Sequence, residues 1–266
     1  MKFEEWWSVY LDIAKELHID VEEDRRATRV LGGLLEERNR KDERAMEEAR
    51  DIFDRSITVV FGAGPSLVED LLGFLPSKFR DEAVVVSADG ATNYLLSKGV
   101  RPSVVVTDLD GGAEGLFEAS RRGAVTFVHS HGDNVQALES MVLAFEGPVV
   151  GTTQVEPLFN VHCFGGFTDG DRAVVLAQEF GASAIVLAGM DLGEMVGKFS
   201  KPSLQHDVRA WPTKAMKLRW AKAILERFAR SSGAALYNVT ARGVDVQGFK
   251  RTSFRDLEAE ALGGSS

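Results

Sequence analysis

Apolar positions in the first fifty residues fall at helical spacing. Trp6, Trp7, Tyr10, Leu11, Ala14 and Leu17 form one stripe, and Val30, Leu31, Leu34 and Leu35 form a second. Residues 36–50 mix charges densely, the pattern of a solvated helix face with i,i+4 pairs. From Ser56 the period changes. Short runs rich in Val and Ile (ITVVFGAG, AVVVSADG, SVVVTDLDG, AVTFVHSHGDN, PVVGTTQ and SAIVLAGMD) alternate with helical stretches at 66–74, 91–98, 113–121 and 135–144. Near-continuous β-branched runs predict strands buried on both faces. Their alternation with helices predicts an α/β fold, a mostly parallel sheet flanked by helices. A late helix is expected at 214–230 and a final strand at 235–239, before a frayed tail, ALGGSS. The chain therefore divides into an N-terminal helical segment, residues 1–54, and an α/β domain, residues 55–266.

Composition adds exclusions. The 266 residues carry a net charge of −9, from 31 Lys and Arg against 40 Asp and Glu. That balance argues against a broad nucleic-acid face, which needs clustered cations. No apolar run approaches the roughly 18 residues that span a bilayer. The N-terminal stretch MKFEEWWSVYLDIAKELHID carries early acids and no small-residue cleavage site, so it does not read as a signal peptide. The one cysteine, Cys163, can form no internal disulfide and reads as a small buried apolar residue. Together these features predict a cytoplasmic protein with no membrane or nucleic-acid partner.

Small and acidic residues collect after successive strand runs. Gly62, Gly64 and Ser66 follow ITVVF, and Asp89 and Gly90 follow VVVSA. Asp108, Asp110 and Gly111 follow SVVVT, and Asp133 and Asn134 follow TFVHS. In an open parallel sheet these positions are the carboxyl ends, where a ligand crevice forms. A single Asp there is an ordinary cap or turn residue; the repetition is not. Asp108 and Asp110, two apart on an extended segment, should point the same way and offer hard oxygens to Mg²⁺. In FGGFTDGDRA, Thr168, Asp169 and Asp171 open a helix, whose free N–H groups favour phosphate. Arg172 either meets a phosphate oxygen or neutralises Asp169. Gly62-Ala63-Gly64-Pro65-Ser66 lacks the Lys of a Walker loop but permits close approach of a nucleotide. Thr152, Thr153 and Gln154 offer hydroxyls and an amide suited to a heterocycle's edge. His129 and His131 lack the partners of a structural zinc site.

The motifs GAGPSL, SADGAT, VTDLDG, HSHGDN, GTTQ, FGGFTDGDRA, GMDLG with GKFSKP, and KAMKLRWAKAILE, in this order, resemble the archaeal 6-hydroxymethyl-7,8-dihydropterin pyrophosphokinase family. The resemblance covers roughly residues 56–240. The central block is also similar to thiamine pyrophosphokinase, although that family's wording is closer to DGG…GDFDS. The resemblance implies a thiamine-pyrophosphokinase-like catalytic sheet, ATP as co-substrate, Mg²⁺, and a pterin alcohol as acceptor, in tetrahydromethanopterin or folate-type synthesis. It implies a metal site at Asp108, Asp110 and Asp171. Nucleotide contacts are expected at Gly62, Gly64, Ser66, Asp89, Gly90, Thr152, Thr153, Gln154, Thr168, Asp169 and Lys214. Asp133 is expected to orient or deprotonate the acceptor hydroxyl, and Arg172, Lys198 and Lys201 to meet the triphosphate, the two lysines from a mobile loop at 194–205. Phe164, Phe167 and Trp211 are candidates to stack on the pterin. The Trp6–Trp7 face is expected to pack on its own domain or on a second subunit, as a homodimer. A thiamine pyrophosphokinase, a metal-dependent sugar-nucleotide glycosyltransferase and a nucleotide sensor without turnover are the competing readings.

Overall fold

The computed structural model describes residues 2–38, 42 and 44–263. Its strands are β1 (Ile57–Phe61), β2 (Val84–Ala88), β3 (Val104–Thr107), β4 (Val125–Ser130), β5 (Val149–Thr153), β6 (Val161–His162), β7 (Ala184–Ala188), β8 (Met195–Val196), β9 (Val208–Arg209), β10 (Ala235–Asn238) and β11 (Lys250–Arg251). Nine of them form one sheet in the order β11-β10-β7-β1-β2-β3-β4-β5-β6. Every neighbouring pair in it is parallel, as Val59 opposite both Val85 and Val186 illustrates. Strands β8 and β9 pair separately and antiparallel.

The helices are α1 (Phe3–Leu17), α2 (Val21–Arg38), α3 (Ala45–Phe53), α4 (Leu67–Phe74), α5 (Phe79–Glu82), α6 (Ala91–Ser97), α7 (Ala113–Arg121), α8 (Val135–Met141), α9 (Asp169–Glu179), α10 (Pro212–Ala229) and α11 (Phe254–Gly263). Alternation along the strands divides them between the two faces of the sheet. Val60, Val86, Val104, Val106 and Phe127 pack with α3, α9 and α10 on one face. On the other, Val59, Phe61 and Val85 meet α4, α6 and α11, while Val105, Val128 and Val149 meet α2, α7 and α8. Both faces are covered, so the strands read as unbroken Val runs and not as alternating ones. Each such side chain, fully buried, contributes about 1.5–3 kcal/mol relative to exposure.

The chain adds strands outward from β1 as far as β6, then returns to place β7 on the other side of β1. The crevice therefore opens beyond the carboxyl ends of the strands, at the topological switch point between β1 and β7. Helix α1 packs back on its own chain. Trp6 is fully buried beside Val155, Phe167 and Ile224, and its Nε1 donates to the Gln154 carbonyl at 2.9 Å.

Three local expectations differ from the structure. The strand at 235–238 is not the last, because two-residue β11 adds beside it. The charged stretch 36–50 is not one solvated helix face: α2 ends at Arg38 and α3 begins at Ala45. Arg38 is buried because its guanidinium donates to the carbonyls of Val142, Phe145 and Gly147 while pairing with Asp42 at 2.7 Å. Of the tail expected to fray, residues 264–266 lie outside the described residues, and 261–263 complete α11.

Candidate active site

Asp89 directly follows β2, Asp108 directly follows β3, and Asp169 opens α9. The register of the parallel strands and the return of α9 over the sheet bring one carboxylate oxygen of each within 4.8 Å of the others. Asp89 is held by Thr107, whose hydroxyl donates to Oδ1, and its backbone adopts the left-handed region (φ 40°). Leu109, between Asp108 and Asp110, is also left-handed (φ 73°). Such residues cost about 1–3 kcal/mol each and persist where surrounding contacts enforce them. Here Thr107 Oγ1 accepts from the Leu109 N–H at 2.8 Å, and Asn134 Nδ2 donates to the Asp108 carbonyl at 2.9 Å.

The electrostatics of the cluster are unbalanced. Burial, then the charge of Asp108, pushes Asp89 and Asp169 well above the usual carboxylate range. Burial works against the Asp108 charge too. The neighbouring His131, with Nε2 3.6 Å from Oδ2, then Arg172 and Lys217, outweigh it and hold this carboxyl down to about 2. Among the described residues, the buried Asp108 Oδ1 has no hydrogen-bond partner. Three converging carboxylates, one with an orphaned oxygen, are a donor set that a hard divalent cation such as Mg²⁺ fits.

The cluster floors a cavity of about 270 Å³ at the switch point. One wall is the turn after β1, Gly62 to Gly64, and the turn after β7, Gly189 to Leu192. These turns interlock, with the Gly64 N–H donating to the Gly189 carbonyl at 2.9 Å. A Cβ on Gly64 would meet that carbonyl oxygen at 2.6 Å and overlap the Asp191 carboxylate, so only glycine fits. Lys214 and Lys217 of α10 form the opposite wall with Trp211 and Leu218. Burial, then the charge of Lys217, lowers the Lys214 ammonium from its usual range. The excursion between β8 and β9 roofs the cavity with Val196, Gly197, Ser200 and Lys201. It is anchored by Phe199 stacked on Tyr94 at 4.3 Å and by the Ala210 N–H donating to the Glu194 carbonyl at 2.8 Å. The Ser200 hydroxyl, like Asp108 Oδ1, is buried without a partner.

The residues singled out from the sequence divide into three groups. Gly62, Gly64, Asp89, Gly90, Asp108, Asp110, Thr168, Asp169, Lys201 and Lys214 all line this one cavity. Asp110 does so for a different reason than expected. Leu109 before it is left-handed, and Asp110 pairs with Lys201 at 3.0 Å; it is not one of the three carboxylates whose oxygens converge, although its charge still acts on Asp89 and Asp169.

A second group lies beside the cavity as its frame. Asp171 is fully buried and spends both oxygens on the N–H groups of Phe167 and Thr168 and on the Thr168 hydroxyl, so it caps α9 and does not face the metal cluster. Arg172 takes the second of its two expected roles: Nη1 meets Asp169 at 2.8 Å and Nη2 meets the Phe167 carbonyl at 3.1 Å. Ser66 is fully buried and donates to Asp191 at 2.6 Å, holding the β7 turn and not a nucleotide. Phe164 packs into the core with Phe127 and Phe180, whereas Phe167 and Trp211 reach the cavity.

The third group stands away. Asp133 is exposed, because the turn Gly132–Asn134 directs His131 and Asn134 inward instead. Lys198 lies over Phe199 and lines a separate cleft with His206 and Arg242. Thr152, Thr153 and Gln154 are buried: Thr152 bonds His129 Nδ1 at 3.1 Å, while Thr153 bonds Thr28 of α2 at 2.7 Å and Gln154 donates to Asp24 of α2 at 2.6 Å. Burial pushes the Cys163 thiol up to about 12, as suits an inert packing residue.

The sequence reading placed Asn134 at the carboxyl end of a strand run without giving it a role, missed the Gly189 turn as a site-builder, and set His131 aside with the zinc question. A positive φ at Gly189 (62°), packed on the Gly62 carbonyl, leaves no trace in a pattern of polar residues. Asn134 looks like any turn residue until its amide is seen between the Asp108 and His129 carbonyls.

Among the described residues, no helix is long and apolar enough to cross a membrane. A solved glycosyltransferase (MAf) from Magnetospirillum magneticum shares the fold, with a TM-score of 0.52 at 18% identity, over 82% of this chain and 40% of that one. Curated relatives are nearer. One from Pyrococcus furiosus is 46% identical over 88% of this chain and 97% of its own. One from Methanothermobacter thermautotrophicus is 47% identical over 65% and 74%, and one from Methanocaldococcus jannaschii is 34% identical over 85% and 95%. All three are named 6-hydroxymethyl-7,8-dihydropterin pyrophosphokinase. The family model described as 6-hydroxymethylpterin diphosphokinase MptE-like matches residues 36–197, the span that supplies all three carboxylates, and with relatives this similar along nearly the whole chain, the protein belongs to that family.

Proposed function

We propose that this chain transfers a pyrophosphoryl group from ATP to the hydroxymethyl group of 6-hydroxymethyl-7,8-dihydropterin, with Mg²⁺, releasing AMP, as a step of tetrahydromethanopterin or folate-type synthesis. The observation that carries the reading is the carboxylate triad Asp89, Asp108 and Asp169, with its orphaned oxygen, facing lysines across one crevice in a member of this family. Asp89, Asp108 and Asp169 would hold Mg²⁺, which supplies neutralisation of the phosphate charge. Lys201, Lys214 and Lys217 offset the remaining charge of the triphosphate from the roof and the α10 wall. Arg172 works against the burial of Asp169, favouring its charged form, and aims it. The Gly62–Gly64 turn lets the nucleotide approach the backbone, and Trp211 and Phe167 offer faces to a planar ring. The acceptor oxygen bonds to the β-phosphorus, the bond from that phosphorus to the bridging oxygen on the α side breaks, and the hydroxyl proton is released to solvent.

The direct test separates the nucleotides after incubation with ATP, Mg²⁺ and the pterin alcohol. AMP in equal amount to the pterin diphosphate is expected. ADP as the main product defeats the mechanism, and AMP formed with thiamine but not with the pterin moves the substrate.

The roof carries its own prediction. Lys198 and Lys201 lie on the segment between β8 and β9, and Lys201 is tied to the site through Asp110. ATP with Mg²⁺ should slow tryptic cleavage after Lys198, on the same segment, severalfold, because phosphate contacts hold the roof closed. Equal cleavage rates with and without the nucleotide would remove this role for the roof.

A further inference from the structure

Helix α2 contributes nothing to the cavity lining, yet it carries a buried carboxylate that reaches the site through one turn. Asp24 is 1% exposed. Its Oδ2 accepts from the Tyr10 hydroxyl and from Gln154 Nε2, both at 2.6 Å, and its Oδ1 accepts from the backbone N–H of Gly132 at 2.7 Å. Gly132 sits so close to α2 that a Cβ there would meet the Glu23 Cβ at 2.8 Å. The Gly132–Asn134 turn is therefore clamped from behind. Its front carries both groups that handle Asp108. Asn134 Nδ2 donates to the Asp108 and His129 carbonyls at 2.9 and 2.7 Å, while Asn134 Oδ1 accepts from the His131 N–H at 3.0 Å. His131 Nε2 stands 3.6 Å from Asp108 Oδ2.

We propose that Asp24 is a positioning residue: by fixing the Gly132–Asn134 turn against α2, it sets the orientation of the Asp108 carboxylate toward the metal. The inference rests on the metal-assisted reading above and gives the N-terminal helices a part in it. A carboxylate suits the task because all three of its partners donate. Groups that orient metal ligands from behind typically govern 10–100-fold in metal affinity, and Asp24 acts one link further back, so the lower end applies.

The experiment is Mn²⁺ binding to the purified full chain, with the metal alone, read as loss of the free-ion signal in electron paramagnetic resonance. Thermal melts monitor folding alongside. Asp24→Ala is expected to weaken Mn²⁺ binding about tenfold. Asp24→Asn, which keeps one oxygen for the Gly132 N–H, recovers most of that loss. Arg25→Ala loosens the same helix by removing the half-exposed pair with Glu156 but leaves the turn alone, and should bind as wild type does. Asn134→Ala removes the front of the linkage and should match Asp24→Ala, which keeps the test available if Asp24→Ala does not fold. A merely structural role lowers the melting temperature of Asp24→Ala without moving the affinity of the folded fraction. Unchanged Mn²⁺ affinity in folded Asp24→Ala or, where that variant is unfolded, in Asn134→Ala overturns this proposal alone. Absence of binding to wild type overturns the metal reading and this proposal with it.

Discussion

Asp108→Asn is expected to cut turnover by about a thousandfold or more while leaving the fold intact. The side chain is nearly isosteric, and the Asp108 carbonyl keeps its bond to Asn134. Oδ1 makes no hydrogen bond that the amide would forfeit. What disappears is one charge from a three-carboxylate site, an interaction of several kcal/mol in phosphoryl transfer chemistry, and about 4 kcal/mol corresponds to a thousandfold. Stability should fall. Asp108 repels Asp89 and Asp169, but His131, Arg172 and Lys217 outweigh its burial and hold its carboxyl down to about 2, so its charge stabilises the fold at neutral pH. Without divalent ions the variant should unfold at a lower urea concentration than wild type. Retention of more than a tenth of wild-type turnover at saturating Mg²⁺ would remove Asp108 from the reaction, and with it the centre of the proposed site.

Arg172→Met should lose about 3–5 kcal/mol of folding stability. The guanidinium is 3% exposed and spans Asp169 and the Phe167 carbonyl, so its removal leaves a buried carboxylate without a counter-charge. Asp169 then takes up a proton more readily, and the metal site weakens with the fold. Arg172→Lys restores the charge but not the two-pronged geometry, and should recover part of the loss. Urea melts of the three proteins at one pH decide the matter. Wild-type stability in Arg172→Met would show that the pair is dispensable and that Asp169 is neutralised by other means.

Both predictions concern residues that the sequence reading flagged, and their different fates show what a linear pattern can carry. Small and acidic residues after strand runs identified the correct end of the sheet, because every parallel strand delivers its carboxyl end to the same side. Gly62, Gly64, Asp89, Gly90, Asp108 and Asp110 line one cavity for that reason. The pattern could not separate a carboxylate that faces the cavity from one that caps. Asp169 and Asp171 lie two apart at one helix start, and because a helix turns once in about 3.6 residues they leave α9 on opposite sides, the first toward Asp108 and the second back to Phe167 and Thr168. Asp108 and Asp110 were expected to be parallel on extended backbone, but Leu109 between them is left-handed and Asp110 pairs with Lys201.

The distinction extends to the whole molecule. Hydrophobic period, strand–helix alternation and the run of family motifs are local properties. By themselves they determined the α/β class, the parallel sheet and the family, since each depends on neighbours a few residues away. Which carboxylates converge depends on strand register and on the return crossing from β6 to β7, which brings residues from distant parts of the chain to one crevice. The place of the N-terminal helices was decided the same way. Asp24 is one acid among many on a charged helix until tertiary packing removes it from water and leaves Tyr10, Gln154 and Gly132 as its partners. A buried charge acquires its meaning from the groups that satisfy it, and only the folded chain brings those groups together.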